Sequence, residues 1–397
     1  MTFLYERLSP TSIRALLALA VVFVMLGTTG WTAVQPHAVT SVRAAALSAW
    51  RHGAIGARRL PSPDSAPRRI ARFFASLTAA QRLALADRYP LVVGNLDGAP
   101  LALRYRANRK ALTQARTAAL VRSRSDQLTT TGRNVAQRLA DRYDSLLGGQ
   151  RQILSFDPTG QGKVAEVFGD LQTARRVSIV VPGVDTDVLH FEREDKPWSA
   201  LDGMAGELYA AEQATEPDAP AAVIAWADYT TPNGVDLDAS TGTLAERGAV
   251  RLRSLLTALP QRRDVSLFCH SYGSVLCGVA APDLPAGQVS DVAVFGSPGM
   301  RAQHVSDLHT TAHVWAARDS SDWIGDVPHL EFAGLGHGAD PISRSFGARL
   351  ISAAGAAGHP GYFAPGTASL ANFARIALGD YPDVSCRDGH PGCAAGL

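Results

Sequence analysis

Ser271 lies in Phe268-Cys269-His270-Ser271-Tyr272-Gly273-Ser274, directly after the apolar run Asp264-Val265-Ser266-Leu267-Phe268 and before the small, apolar stretch Val275 to Ala281. A serine hydroxyl becomes a useful nucleophile only when a base takes its proton and donors receive the charge that develops on the attacked group. A tight turn from a buried strand into a helix serves that chemistry. It lifts the hydroxyl above the sheet and points the helix N-terminus at the developing oxyanion. The motif departs from glycine-x-serine-x-glycine at its first position, where Cys269 stands; Gly273 is kept. That position needs a small side chain, and cysteine is one. An ordinary strand-to-helix loop is the plain alternative, because a pentapeptide alone has a real false-positive rate.

The same chemistry asks for a carboxylate and an imidazole further along the chain, in that order. Asp322 follows the strand pattern Val314-Trp315-Ala316-Ala317 by several residues and precedes the apolar pair Trp323-Ile324; Asp319 and Asp326 are its local competitors. His359 sits in Gly358-His359-Pro360-Gly361, after the last strand pattern, where small residues leave a loop free to return to the serine. His337 is the rival imidazole but precedes that strand, and His270, beside the serine, reads as structural. The expected oxyanion donors are the amide of Tyr272 and that of Val184, in the loop Pro182-Gly183-Val184-Asp185-Thr186-Asp187 after another strand. Asp185 and Asp187 lack calcium-loop spacing. Cys386, Cys393 and His390 do not complete a zinc site. No metal and no cofactor is expected.

Those side chains need a frame. Ile153–Phe156 and Val164–Phe168 read as a hairpin around Pro158-Thr159-Gly160-Gln161-Gly162. Val177–Val181, Ala221–Trp226, Leu267–Phe268, Val292–Phe295, Val314–Ala316 and Ala348–Ile351 read as further strands. They are near-continuous apolar runs separated by helical stretches at Ser199–Gln213, Ala239–Ala258 and Ser369–Leu378. That pattern predicts an α/β fold: a mostly parallel, buried sheet with helices on both faces. Upstream, residues 68–149 read as a helical region. Thr78 caps one helix, Pro90 ends it, and the apolar face Val135, Leu139, Tyr143 and Leu146 stops at Gly148-Gly149. Asn95-Leu96-Asp97-Gly98 reads as a turn between helices rather than a lid, and Thr230–Gly234 as a rim of the pocket.

The domain reading is therefore a signal peptide or membrane anchor over 1–34, a linker over 35–67, the helical region over 68–149, the α/β domain over 150–380 and a tail over 381–397. Arg7 and Arg14 precede or open a strongly apolar run, Ala15–Leu26, and no charge follows until Arg43. Such a segment exports the chain or anchors it with later residues outside. Among the four cysteines, Cys269 and Cys277 read as small buried thiols, and Cys386 and Cys393 as able to close a disulfide outside the cell. The net charge of +2 hides an asymmetry: residues 1–150 carry 21 Lys/Arg against 7 Asp/Glu, and the remainder 17 against 29. The basic part either docks on the acidic part or faces an anionic membrane. Only three of the 38 cations are lysine, and no aromatic-interleaved basic cluster occurs, so nucleic acid is set aside.

Several segments together resemble an actinobacterial family of exported α/β-hydrolases, long catalogued as a domain of unknown function and similar in pattern to lipases and cutinases. They are Gly94-Asn95-Leu96-Asp97-Gly98 with Pro100 and Ala107-Asn108-Arg109, Phe156-Asp157-Pro158, Val181-Pro182-Gly183, His270-Ser271-Tyr272-Gly273-Ser274, Gly296-Ser297-Pro298-Gly299, and Gly358-His359 with Tyr362-Phe363. The resemblance covers roughly residues 70–380. It implies a serine-hydrolase triad at Ser271, Asp322 and His359, and no settled substrate. The expected function is an exported serine hydrolase acting on carboxylic esters, of lipids or acylated envelope material, with peptidase or thioesterase chemistry sharing the machinery. The alternative is a catalytically silent relative that binds an envelope ligand.

Overall fold

The computed structural model describes residues 41–397 apart from 261–262 and 333. The expected leader over 1–34 lies outside the described residues. Among the described residues no helix is long and apolar enough to cross a membrane.

Eight strands form the main sheet: β1 (Gln152–Asp157), β2 (Lys163–Gly169), β3 (Arg176–Val181), β4 (Ala221–Ala227), β5 (Asp264–His270), β6 (Val289–Phe295), β7 (His313–Ala317) and β8 (Arg349–Leu350). Their order is β8-β7-β6-β5-β3-β4-β2-β1. Only β2 runs against its neighbours; every other pairing is parallel. The helices are α1 (Val42–Arg51), α2 (Pro67–Ala75), α3 (Ala79–Arg88), α4 (Leu101–Ser123), α5 (Thr130–Leu147), α6 (Leu201–Thr215), α7 (Thr243–Ala258), α8 (Tyr272–Ala280) and α9 (Ala368–Leu378). Alternate strand residues feed two cores. Val180, Phe268, Phe295 and Trp315 pack with residues of α4, α5, α6 and α9. Ile179, Val181, Leu267 and Val294 pack with α7 and α8 on the other face. Burial on both faces is why these strands read as near-continuous apolar runs.

The linker reading of 35–67 needs correction over its described part. Residues 42–51 form α1, and Trp50 is fully buried, edge-on to Tyr89 at 5.4 Å, with its indole N–H donated to the Pro61 carbonyl at 2.7 Å. The prolines here bound elements rather than mark a tether: Pro67 opens α2. Residues 42–397 form one compact unit, so the helical region and the sheet do not separate as two bodies.

Two asparagines, Asn108 fully buried and Asn95 half-buried, explain how the helical region joins the sheet. The Asn95 side chain accepts from the Phe156 amide (3.0 Å) and donates to the Phe156 carbonyl (2.7 Å). Asn108 donates to the carbonyls of Ile153 (2.9 Å) and Gly94 (3.0 Å). They satisfy backbone groups on the free edge of β1, which would otherwise invite pairing with another chain. The Asn95–Gly98 segment is therefore a structural turn at the sheet edge farthest from β8, as the turn reading expects. Arg43 pairs with Asp157 (3.3 Å), and Arg142 reaches Glu192, so some basic residues do dock on acidic ones. The opposite edge is closed by the tail. Ile351 bridges Cys386, Arg387 donates its amide to the Leu350 carbonyl (3.0 Å), and Cys386 and Cys393 are joined as a disulfide.

One buried acid makes stability depend on pH. Glu212 on α6 is 1 % exposed and accepts from the Ser178 hydroxyl of β3 at 2.6 Å. Burial pushes its carboxyl up to about 8, against the opposing pull of Ser178 and Arg176. The folded chain thus holds a proton that the unfolded chain releases near pH 4.5, so stability falls as pH rises between the two values and is level above them. Glu212→Gln is expected to exceed the native chain in stability by roughly 2–4 kcal/mol at about pH 8.5 and to match it near pH 4. Denaturant unfolding at the two pH values checks this.

Candidate active site

β5 ends with Cys269 and His270, and α8 begins at Tyr272, so the chain reverses at a single residue. Ser271 takes φ 53° and ψ −125°, a conformation that costs a non-glycine residue about 1–3 kcal/mol. Two glycines let the neighbouring backbone close around it. A Cβ on Gly273 would stand 2.5 Å from the Val181 carbonyl oxygen and 2.7 Å from that of Pro182. A Cβ on Gly183 would stand 2.5 Å from the Ser271 Cβ and 3.0 Å from its Oγ.

Cys269 and Cys277 are not free thiols: they form a disulfide. The elbow folds α8 back over β5, which brings the strand residue two before the serine against the helix residue six after it, with Cα atoms 6.5 Å apart. A reading that treats strand and helix separately does not see this. The position where the motif usually carries glycine is thus held by a covalent tie. Among the described residues no cysteine is free.

Asp322 and His359 are brought together. The imidazole Nδ1 lies 2.9 Å and 3.1 Å from the two carboxylate oxygens of Asp322. The Tyr362 hydroxyl donates to Oδ2 at 2.6 Å, and the Ile324 amide to Oδ1 at 3.0 Å. Burial alone would raise the Asp322 carboxyl, but the bonds from His359 and Tyr362 outweigh it and hold it below the usual carboxylate range. An ionised carboxylate only accepts, so Nδ1 carries the proton and Nε2 keeps its lone pair. Nε2 is buried and has no hydrogen-bond partner among the described residues. Ser271 is 5 % exposed, and its hydroxyl makes no hydrogen bond among the described residues. The serine hydroxyl and the imidazole Nε2 are therefore both unengaged, and the bond between them is not formed here. Such bonds are often long in ligand-free sites and tighten when substrate binds.

His270 holds the imidazole loop in place. Its ring packs on that of His359 at 4.6 Å, and its Nε2–H donates to the His359 carbonyl at 2.9 Å. Burial, and then the neighbouring His359, push the His270 imidazole down to about 3, so it stays neutral. Asp319 anchors the same loop: its Oδ2 accepts the Gly358 amide at 3.0 Å. Asp326 is exposed at the end of a short helical turn. His337 is committed elsewhere, to the Ala239 carbonyl at 2.7 Å.

The loop after β3 stands against the serine through Gly183. It is clamped from the segment after β4, the predicted rim. Tyr229 donates its hydroxyl to the Pro182 carbonyl (2.6 Å), Thr231 to that of Thr186 (3.1 Å), and Asp185, at φ 55°, gives its amide to the Pro232 carbonyl (2.9 Å). Neither the Val184 amide nor the Tyr272 amide, the first of α8, has an acceptor among the described residues. Trp323 overhangs the His359 ring at 4.9 Å and is 45 % exposed. No cluster of three or more His, Cys, Asp or Glu able to hold a metal occurs among the described residues.

Sequence reasoning noted Tyr362 only as part of the resemblance and gave it no role, and it did not see the support given by His270 and Asp319 or the Cys269–Cys277 tie. For Tyr362 the one available signal is its place three residues after His359.

Residues 157–332 match a family model described as alpha/beta hydrolase. An uncharacterized protein of Mycobacterium tuberculosis is 26 % identical over 83 % of this chain, and the chain spans 58 % of that relative. An uncharacterized protein of Mycobacterium bovis is 32 % identical over 35 % of the chain and 53 % of its own length. Among solved structures, the 2,6-dihydroxy-pseudo-oxynicotine hydrolase aligns over 67 % of this chain and 84 % of its own, with a TM-score of 0.30 and 10 % identity. A thermostable esterase aligns over 41 % and 43 %, with a TM-score of 0.27 and 13 % identity. With the family model resting on the central strands, and a sheet whose fifth strand delivers a serine at a strained elbow, the chain has the α/β-hydrolase fold.

Proposed function

We propose that the protein is a serine hydrolase that cleaves carboxylic esters. Ser271 Oγ attacks the carbonyl carbon while its proton passes to His359 Nε2, and the amides of Tyr272 and Val184 receive the oxyanion. His359 returns the proton to the departing alcohol oxygen, leaving an acyl group on Ser271. Water, deprotonated by His359, then releases the carboxylic acid and restores the serine. Asp322 fixes the imidazole tautomer and stabilises the cation formed in each half. One observation carries the reading: a strained, otherwise unengaged serine at the strand-to-helix elbow of a sheet that also delivers an oriented Asp322–His359 pair.

Lipids or acylated envelope material suit the surface around the site. Val235, Leu237, Trp323, Leu330 and Leu335 are exposed, and all belong to the segments that follow β4 and β7, at the end of the sheet where Ser271 projects. A location outside the cytoplasm suits the two disulfides, which persist in oxidising compartments. The decisive experiment is labelling of the purified protein with a fluorophosphonate probe. The native chain is expected to be labelled covalently and Ser271→Ala not at all. Absence of labelling in the folded native chain overturns the hydrolase reading and leaves a silent binding protein.

A further inference from the structure

The sheet has a second opening, at the end away from Ser271. The helical region and the body meet there around a cavity of about 490 Å³, within the range of roughly 300–1,000 Å³ common for small-ligand sites. It is bounded by residues that precede β3 and β5 and by the last turn of α7, whereas Ser271, Asp322 and His359 all follow the C-terminal ends of strands. Its walls combine two chemistries. Leu154, Leu171 and Leu255 are apolar and buried, and Arg68, Arg104 and Arg263 are cationic.

The three arginines differ in what they already hold. Arg104 is committed to the Gly94 carbonyl (3.1 Å) and to Asp97 (3.0 Å). Arg263 is 8 % exposed; it donates one Nη2 bond to the Gln172 carbonyl (3.0 Å), while its Nη1 is buried with no partner among the described residues. Arg68 is exposed at the mouth and forms no ion pair among the described residues. Buried donors without acceptors cost stability, and an oxyanion would relieve that cost.

We propose that this cavity binds the carboxylate of an acyl chain: the head at Arg263 and Arg68, the chain along the leucine walls. The site is separate from the catalytic one and does not depend on Ser271 being a nucleophile. A free fatty carboxylate would also be the product of the proposed ester cleavage, so occupancy would report product.

Dodecanoate binding to the full-length protein, measured by calorimetry, tests this. One saturable site is expected, retained in Ser271→Ala and in fluorophosphonate-treated protein. Arg263→Met should weaken it about tenfold, and Ala71→Trp, which fills the cavity from α2, should abolish it. Replacing dodecanoate with decanoate should cost about tenfold if the lost methylenes were buried. Dodecanol should bind at least tenfold more weakly than dodecanoate. Thermal unfolding of each variant without ligand shows whether it is folded. Absence of saturable binding to the native chain overturns the proposal. So does binding that Ser271 labelling blocks while both cavity variants leave it unchanged, which would assign the ligand to the catalytic pocket. Equal binding of dodecanol and dodecanoate removes the role of the arginines and overturns it as well.

Discussion

Asp322→Asn is expected to lower kcat for a short chromogenic ester by about four orders of magnitude while leaving KM within a few-fold of the native value. The loss follows from one proton. With Asp322 ionised, Nδ1 of His359 donates to it and Nε2 is free to act as base. An asparagine can turn its NH₂ toward Nδ1, which makes Nδ1 an acceptor and moves the ring proton to Nε2. The base is then blocked although every heavy atom stays in place. Tyr362 does not compensate, because its hydroxyl can still donate to the asparagine oxygen and so stabilises the wrong arrangement. The same substitution at Asp319 is expected to cost far less. That carboxylate anchors the backbone of the loop at Gly358 and does not contact the ring. A folded Asp322→Asn protein within tenfold of native kcat would show that the acid has been assigned to the wrong residue.

The sheet was legible for a physical reason. Val177–Val181 and Val292–Phe295 are buried on both faces, so their sequence is apolar but for Ser178, and the order Ser271, Asp322, His359 could be read as positions after successive strands. The helical caps were legible too, because Thr78 and Gln81 satisfy each other within one turn. What escaped depends on contacts between distant segments. Nothing near Cys269 announces that α8 will fold back to present Cys277. Asn95, in a turn, and Asn108, in helical sequence, show their purpose only when β1 lies beside them. Residues 42–66 have the proline content of a tether, and only the burial of Trp50 against Tyr89 reveals a packed element. His270 reads as structural because it adjoins the serine. Its bond to the carbonyl of His359, 89 residues later, is invisible in one dimension.

Gly183→Ala is expected to leave the protein folded and to reduce kcat/KM by at least about a hundredfold, in proportion to the displacement of the elbow. The added methyl would sit 2.5 Å from the Ser271 Cβ, closer than real Cβ contacts come, and 3.2 Å from the His270 carbonyl oxygen, a tight contact. Ser271 cannot yield easily. Its φ of 53° is fixed between β5 and α8, Gly273 is pressed against the Val181 and Pro182 carbonyls, and the Cys269–Cys277 disulfide ties strand to helix. The loop after β3 must therefore give way. That loop carries the Val184 amide and is clamped by Tyr229, Thr231 and Pro232, so it moves as a unit and takes the proposed oxyanion donor with it. An oxyanion donor displaced by about 1 Å loses most of its effect on the transition state but little of its effect on ground-state binding. The loss should thus fall on kcat rather than KM, and fluorophosphonate labelling should slow with it, because the phosphonyl oxygen uses the same donors. The comparison that isolates the cause is Gly203→Ala. Its Cβ would also clash, at 2.0 Å from the Pro197 carbonyl oxygen, but on α6, where no proposed donor lies. That variant should lose stability and keep its kcat. If Gly183→Ala instead unfolds the protein and leaves the kcat of the remaining folded fraction unchanged, the loop after β3 supplies no oxyanion donor.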